Sequence, residues 1–428
     1  MQTKRYDAFD EKVTQFKLKD RLTVIVMHKP NFHKTYVTIS TPLGGTHQGY
    51  QNADSFYKAH AGIAHFLEHK VFEKDGKDMS GAFAELEAQV NAFTDHTRTT
   101  YLFHATAHVF KNIEQLINMF FYPDFSDAGV EKEKNIILEE LNMHLDDPYY
   151  IQYHTLLNLL FKNHPVKDDI LGTSQSIQAM DKNILKAMHS AYYKPEVCTL
   201  TIVGDVDVKA LKSYLENAIT LPAPTPLSPS ERAIDEPDHV AEKAMTKSLD
   251  VLVPSVLVGI KNMPAANMFM RERIKAQLAM TMYMDLLFGR SSDYYEQWMD
   301  DGLINDAYGL DIQHESNYGY IMIGSETQKP QAFHAALMHA LTHLDETIVH
   351  QEDFDRFKKQ MLGNFIMSLD SLEYIAHETS RYAQEDLLIY DILDIAKSIT
   401  FDDVKKQSDM IRKDRITAVI IEPKKISD

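Results

Sequence analysis

One cysteine, Cys198, in 428 residues leaves no partner for an intramolecular disulfide. It lies in the apolar run CTLTIV (198–203), where a buried structural thiol is expected. No window approaches 18 uninterrupted apolar residues, which excludes a helical membrane span. The N-terminal MQTKRYDAFDEKVTQF has no apolar stretch resembling a signal peptide, and the expected location is the cytoplasm. Basic residues are also short: 44 Lys and Arg face 62 Asp and Glu, a formal net charge of −18. A nucleic-acid surface needs clustered Lys and Arg to displace phosphate counterions, and no such block exists, so no nucleic-acid partner is expected. The acidity could favour basic peptides, although solubility explains it as well. There is no G-x-S-x-G elbow and no P-loop.

What is present is a chain of ordinary globular composition, long enough for two or three domains. Residues 22–27 and 35–40 are β-branched and read as strands; 61–73 reads as a His- and Glu-rich helix. A strand-like segment covers 90–104, helical patterns cover 110–119 and 129–145, and 199–205 closes the half with a strand and turn. A Pro- and Ser-rich stretch from Leu221 runs into acidic residues near Glu242 and reads as a flexible linker. Beyond it the order recurs: strand 251–261, helix 268–288, alternating hairpin 306–325, helices 332–344 and 353–369, and strand 416–421. Met280, Met282 and Met284 in the long helix read as core filler. The expected fold is α+β: two homologous domains, each a mainly antiparallel sheet packed against helices. The boundaries fall at 1–222, linker 223–245, and 246–428, and only the first copy carries a His/Glu cluster.

That cluster is HFLEH, residues 65–69. His65 and His69 stand one helical turn apart on one face, which suits two imidazoles on one ion, and Glu68 shares that face. A carboxylate beside a metal, not bound to it, can take the proton from an attacking water. The order inverts H-E-x-x-H. Catalytic zinc needs a third protein ligand and an open position. Glu131, Glu133, Glu139, Glu140 and His144 on the following helix are candidates, with Glu139 and Glu140 left open by spacing alone. A solvated His/Glu face is the competing reading. The apolar neighbours Ile63, Ala64, Phe66, Leu67, Val71 and Phe72 oppose it, because they bury the helix, and buried His and Glu need partners.

The HFLEH helix, the strand Asn91, Ala92, Phe93, Thr94, and the Glu133–Glu140 helix together resemble the pitrilysin/insulinase family of inverzincin metallopeptidases. Residues 192–195 (YYKP), the turn 204–207 (GDVD) and the segment LFGRSSDYYEQWMDDGLINDAYG extend the likeness, the last towards the bacterial processing-peptidase branch. The resemblance implies a zinc-dependent endopeptidase acting on short or unstructured peptides. Zn2+ would sit on His65, His69 and Glu140, with Glu68 as base and Glu133 holding a ligating histidine in place. Asn91 would orient the substrate, and Ala92, Phe93 and Thr94 would pair with its backbone as an added strand. Two features depart from the family pattern. The glycine often found before Asn91 is missing. So is the Arg/Tyr pair, seven residues apart, that binds the substrate carbonyl in members working alone; aligning on Gly302 and Leu303 puts Trp298 and Asn305 there. Arg290, Tyr294, Tyr295 and Tyr308 are near but wrongly spaced. This implies the metal-bearing subunit of a heterodimer, with a homologous partner supplying the pair. The alternative is a non-catalytic peptide-binding or scaffold subunit of a processing complex.

Overall fold

Seven strands make the first sheet: β1 (Gln2–Tyr6), β2 (Glu11–Leu18), β3 (Leu22–His28), β4 (Thr35–Thr41), β5 (Ala88–Thr94), β6 (Thr99–Ala105) and β7 (Thr199–Gly204). In this computed structural model, which describes residues 1–74, 77–265, 268–344, 349–383 and 387–424, their order is β1-β2-β3-β7-β4-β6-β5. Only β3 and β7 pair in parallel. The segment 90–104 is two strands, because the Asp95 side chain collects the backbone N–H groups of Thr97 (2.7 Å) and Arg98 (2.8 Å) and turns the chain.

The central strand β4 is buried along its whole length, so both sheet faces must be covered. Successive side chains of a strand point to opposite faces. Tyr36, Thr38 and Ser40 form a polar stripe under the Leu372–Tyr382 helix: Tyr36 Oη lies 3.0 Å from His377 Nε2, and Thr38 Oγ1 2.7 Å from Ser380 Oγ. Helices α1 (Ile63–Val71) and α2 (Val109–Phe121) cover the other face, where Tyr101 donates to the Leu67 carbonyl. A third helix, α3 (Asp127–Leu145), follows.

The second sheet repeats the plan with β8 (Ala244–Leu249), β9 (Ser255–Lys261), β10 (Gly309–His314), β11 (Gly319–Glu326) and β12 (Ile416–Pro423), in the order β8-β12-β9-β11-β10. This matches β3-β7-β4-β6-β5 strand for strand, including the single parallel pair, here β8 with β12. The α+β repeat expected from the sequence is therefore present. The helix Met270–Phe288 occupies the chain position of α1 and buries Met280, Met282 and Met284 in an apolar core with Phe288 and Trp298. Cys198 is likewise buried, and burial pushes its thiol pKa up.

The two compact units interleave along the chain. The first comprises Met1–Leu141, Asp168–Ala233 and Ser368–Tyr390; the second comprises Asn142–Lys167, Ile234–Met367 and Asp391–Asp428. The division by chain order at 222 and 246 does not anticipate this. The reason is the second face of each sheet. Helix Leu372–Tyr382 covers β4 and β7, and helix Pro148–Leu160 covers β9 and β12. Gln152 of that helix donates to the Val419 carbonyl (3.0 Å), and Gly259 has no side chain where Leu156 and Leu160 come down on β9.

The stretch read as a flexible linker is anchored at both ends. Residues Leu227–Ser230 pair with Gly49–Asn52 in a small sheet. Farther on, the Glu236 carboxylate accepts the backbone N–H groups of Lys162, Asn163 and His164 at 2.6–2.9 Å and the Lys261 ammonium at 2.6 Å. Both side chains are almost fully enclosed, at 2% and 0% exposure. Burial raises the Glu236 pKa, but Lys261 and the amides outweigh it and hold the carboxyl below its ordinary range. A depressed pKa supplies stability that is present above the ordinary carboxyl range and lost as the pH falls through the native value. Replacing Glu236 with Gln would leave the Lys261 charge buried without its partner, at a cost of about 3–5 kcal/mol. Trp298, the only tryptophan, lies in the core of the second unit and reports its unfolding by fluorescence. A loss below about 1 kcal/mol in urea would show that water replaces the carboxylate.

Candidate metal centre and peptide edge

Helix α1 starts where Gly62 takes a left-handed turn at φ 84°, and a Cβ there would meet the Leu171 carbonyl oxygen at 2.4 Å. That close approach fixes the helix start. Ile63, Ala64, Phe66, Leu67 and Val71 bury one side of the helix, leaving His65, Glu68 and His69 on the side facing α3. The two imidazole rings are 4.6 Å apart. From α3, Glu140 puts its carboxylate 3.7 Å from His65 Nε2 and 3.5 Å from His69 Nε2. One ligand atom from each of the three lies within 4.8 Å of the others. Glu139, on the outer side of α3, is exposed; Glu131 is exposed and pairs with Lys134; His144 stacks on Tyr150.

Glu133, one turn pair before Glu140, is buried and contacts His69 Nδ1 at 2.8 Å. This leaves His69 Nε2 for Glu140 and whatever lies between them. Burial disfavours the charged His69 ring, but hydrogen bonds to Glu133 and Glu140 and the nearby carboxylates outweigh it, pushing its pKa up to about 9. Two imidazoles among Glu68, Glu133 and Glu140 make a site with surplus negative charge, which a proton or a cation must balance. Ligand atoms on a tetrahedral zinc stand about 3.3 Å apart, close to the spacings here, and imidazole with carboxylate is a donor set zinc accepts. The residues fit a zinc ion.

Glu68 is hydrogen-bonded by the Thr94 hydroxyl of β5 at 2.5 Å. Burial pushes its pKa up; Thr94 and His69 oppose this and Glu140 adds to it. The sequence placed Thr94 on a peptide-pairing strand but gave no sign of this bond, which only the fold brings about. β5 is the last strand of its sheet. Val90, Asn91 and Ala92 line a cavity of about 400 Å³ with Glu68, His69 and Glu133. Asn91 is exposed and caps the Ala92 N–H through its own Oδ1 at 2.9 Å. In the second unit, Trp298 is stacked in the core against Phe288, and Asn305 is occupied with Ser325 and the Ala307 N–H. Tyr308 donates to the Phe288 carbonyl, Tyr294 stacks on Phe288, and Arg290 is exposed.

A family model described as insulinase, peptidase family M16, matches residues 55–174, and a second, described as the M16 peptidase inactive domain, matches residues 179–361. The chain belongs to the M16 (insulinase) peptidase family. It is 34% identical over 423 residues to the uncharacterized zinc protease YmfH of Bacillus subtilis, covering 98% of each chain. Identity to the uncharacterized zinc protease YmxG of the same organism is 23%, covering 84% of each. The crystal structure of an M16-like peptidase from Alicyclobacillus acidocaldarius matches with a TM-score of 0.91 at 27% identity, covering 97% of this chain and 99% of that one. These likenesses bear out the resemblance to the pitrilysin/insulinase family read from the motifs. No helix among the described residues is long and apolar enough to cross a membrane.

Because the Thr94 hydrogen bond favours ionised Glu68, Thr94→Val is expected to raise the Glu68 pKa further. Carbon-13 NMR of labelled glutamate in the metal-free chain reads it directly. An unchanged or lower pKa would mean the bond does not persist in solution.

Proposed function

We propose that this chain is a zinc-dependent endopeptidase that hydrolyses short or unstructured peptides. The observation that carries the reading is the convergence of His65, His69 and Glu140 beside an independent half-buried carboxylate, Glu68. His65, His69 and Glu140 would hold the ion, and Glu133 would fix the His69 ring through Nδ1. A zinc ion bound there supplies a Lewis acid for the scissile carbonyl and makes a water acidic enough to attack near neutral pH. Glu68 would take the proton from an attacking water and pass it to the leaving amine. Its raised pKa suits both steps, since a base must also give the proton back. The free edge of β5 binds the peptide backbone as an added strand, with Asn91 giving up its hold on the Ala92 N–H. That geometry selects extended chains over folded ones.

In the second unit, the positions of the carbonyl-binding Arg/Tyr pair hold Trp298 and Asn305, both committed to internal contacts. This supports a heterodimer in which a homologous subunit supplies the missing pair. A purely scaffolding role is disfavoured because the four metal-site residues are all present and together.

Zinc should bind at one ion per chain. His65→Ala should remove it, and Glu68→Gln should retain it while slowing cleavage of an unstructured peptide mixture by about a hundredfold or more. Metal analysis and mass spectrometry read the two effects, and a Glu68→Gln chain that cleaves like the wild type would rule out Glu68 as base. Adding a homologous subunit with an intact Arg/Tyr pair should raise the rate; equal rates with and without it would remove the partner from the proposal.

A further inference from the structure

The two faces of β5 are not equivalent. By strand alternation and the register on β6, Val90, Ala92 and Thr94 lie on the side where Thr94 meets Glu68 of α1, while Asn91 and Phe93 lie on the side of Leu102 and His104; residues 90–92 border a cavity on each side. On that far side lies a second cavity of about 580 Å³, walled by Phe93, Tyr36, His377, Glu373 and Arg98. Arg98 is 8% exposed. Its guanidinium carbon lies 5.7 Å from the centre of the Phe93 ring, and its Nε lies 3.3 Å from Asp95 Oδ2. Nη1 has no hydrogen-bond partner among the described residues. A buried guanidinium whose Nε and Nη1 N–H groups find no hydrogen-bond acceptor among the described residues, with Asp95 as an ion pair at the outer edge of that range, has donors left for a further acceptor.

The other polar groups around the cavity do not meet that need. His377 is occupied by the Tyr36 hydroxyl at 3.0 Å, and burial followed by the Arg98 charge holds its pKa below the ordinary value. Burial likewise lowers the pKa of His104, so neither ring competes as a cation. Glu373 is the one carboxylate lining the cavity, but its side chain is 66% exposed and lies 3.8 Å from His377. A solvated carboxylate is screened and holds little of the charge of a buried Arg.

A strand added at the edge of β5 sends alternate side chains to the two faces, each beside the β5 residue it pairs with. We infer that the Arg98 cavity is a specificity pocket that takes an acidic side chain, Asp or Glu, from a substrate residue paired opposite Asn91 or Phe93. The inference rests on the peptide-binding edge proposed above. The aromatic face of Phe93 aligns the guanidinium, and the incoming carboxylate supplies the missing acceptor.

The test uses the full-length, zinc-loaded Glu68→Gln chain and fluorescein-labelled unstructured peptides that carry Glu, Gln or Lys at successive positions. At one position, or at two positions spaced by two, the Glu peptide should bind about tenfold tighter than the Gln peptide, the scale of one charge-assisted hydrogen bond. Arg98→Gln should bring that ratio to about one, and Arg98→Lys should restore part of it. A second variant covers the case in which Arg98→Gln fails to fold: Glu373→Gln, at an exposed position, should raise the ratio by removing a neighbouring like charge. A ratio unchanged in folded Arg98→Gln or in Glu373→Gln, or a preference for Lys, would overturn the inference. Glu-selective binding without cleavage by the wild type would support the pocket and sink the peptidase reading. Cleavage without Glu selectivity would do the reverse, and peptides that do not bind at all would overturn both.

Discussion

The outer edge of β5 is the constraint on which the site depends. A sheet must end somewhere, and its last strand carries backbone donors and acceptors that no neighbour takes. Here that edge runs beside α1. The pleat therefore sends the Ala92 and Thr94 side chains towards α1 and those of Asn91 and Phe93 to the other side. Thr94 ties the strand to Glu68, so the carboxylate proposed as base and the edge proposed to bind peptide are held by the same hydrogen bond. A shift of β5 by one residue along β6 would exchange its faces and take Thr94 away from Glu68.

The repeat shows what it costs a sheet to carry such a site. Both sheets share one strand order, yet the helix after β4 bears His65, Glu68 and His69, while its counterpart after β9 is filled with Met280, Met282, Met284 and Phe288. The first arrangement needs Glu133 and Glu140 from α3 to satisfy imidazoles that the core would otherwise strand. The second needs only volume. Trp298, where a carbonyl-binding Arg would be expected in a self-sufficient enzyme, belongs to that packing, stacked parallel to Phe288 at 5.9 Å. Restoring an Arg there would bury a charge in an apolar core.

Much of this was legible in the chain. Period-2 and helical patterns located β3, β4, α2, α3, the long helix Met270–Phe288 and the closing strand β12 to within a few residues. The HFLEH spacing placed three functional groups on one helix face. What stayed hidden required contacts distant in sequence. Spacing could not separate Glu139 from Glu140, because adjacent helix positions differ only in which side meets α1. Nor could composition show that Glu236 is anchored: an acidic residue in a Pro-rich stretch looks solvated until Lys261 and three backbone amides, from residues 162–164, close around it. Helices 148–160 and 372–382 exchange sheets, which no local pattern records.

Arg98 is the plainest case of a group the sequence disguises. In TDHTRTT it falls within the segment 90–104 read as a single strand, where nothing marks it as buried, and only the Asp95 turn and the stack on Phe93 draw it inside. Its burial also sets it against the charge of the chain. A net −18 repels an acidic peptide at a distance, yet at physiological salt that field decays over about 8 Å, while a desolvated guanidinium acts at hydrogen-bond range. The overall acidity governs how fast a peptide arrives; the buried Arg98 governs which residue stays. Net charge alone would assign this chain basic substrates, and the local geometry, with the stronger interaction, assigns the pocket the opposite sign.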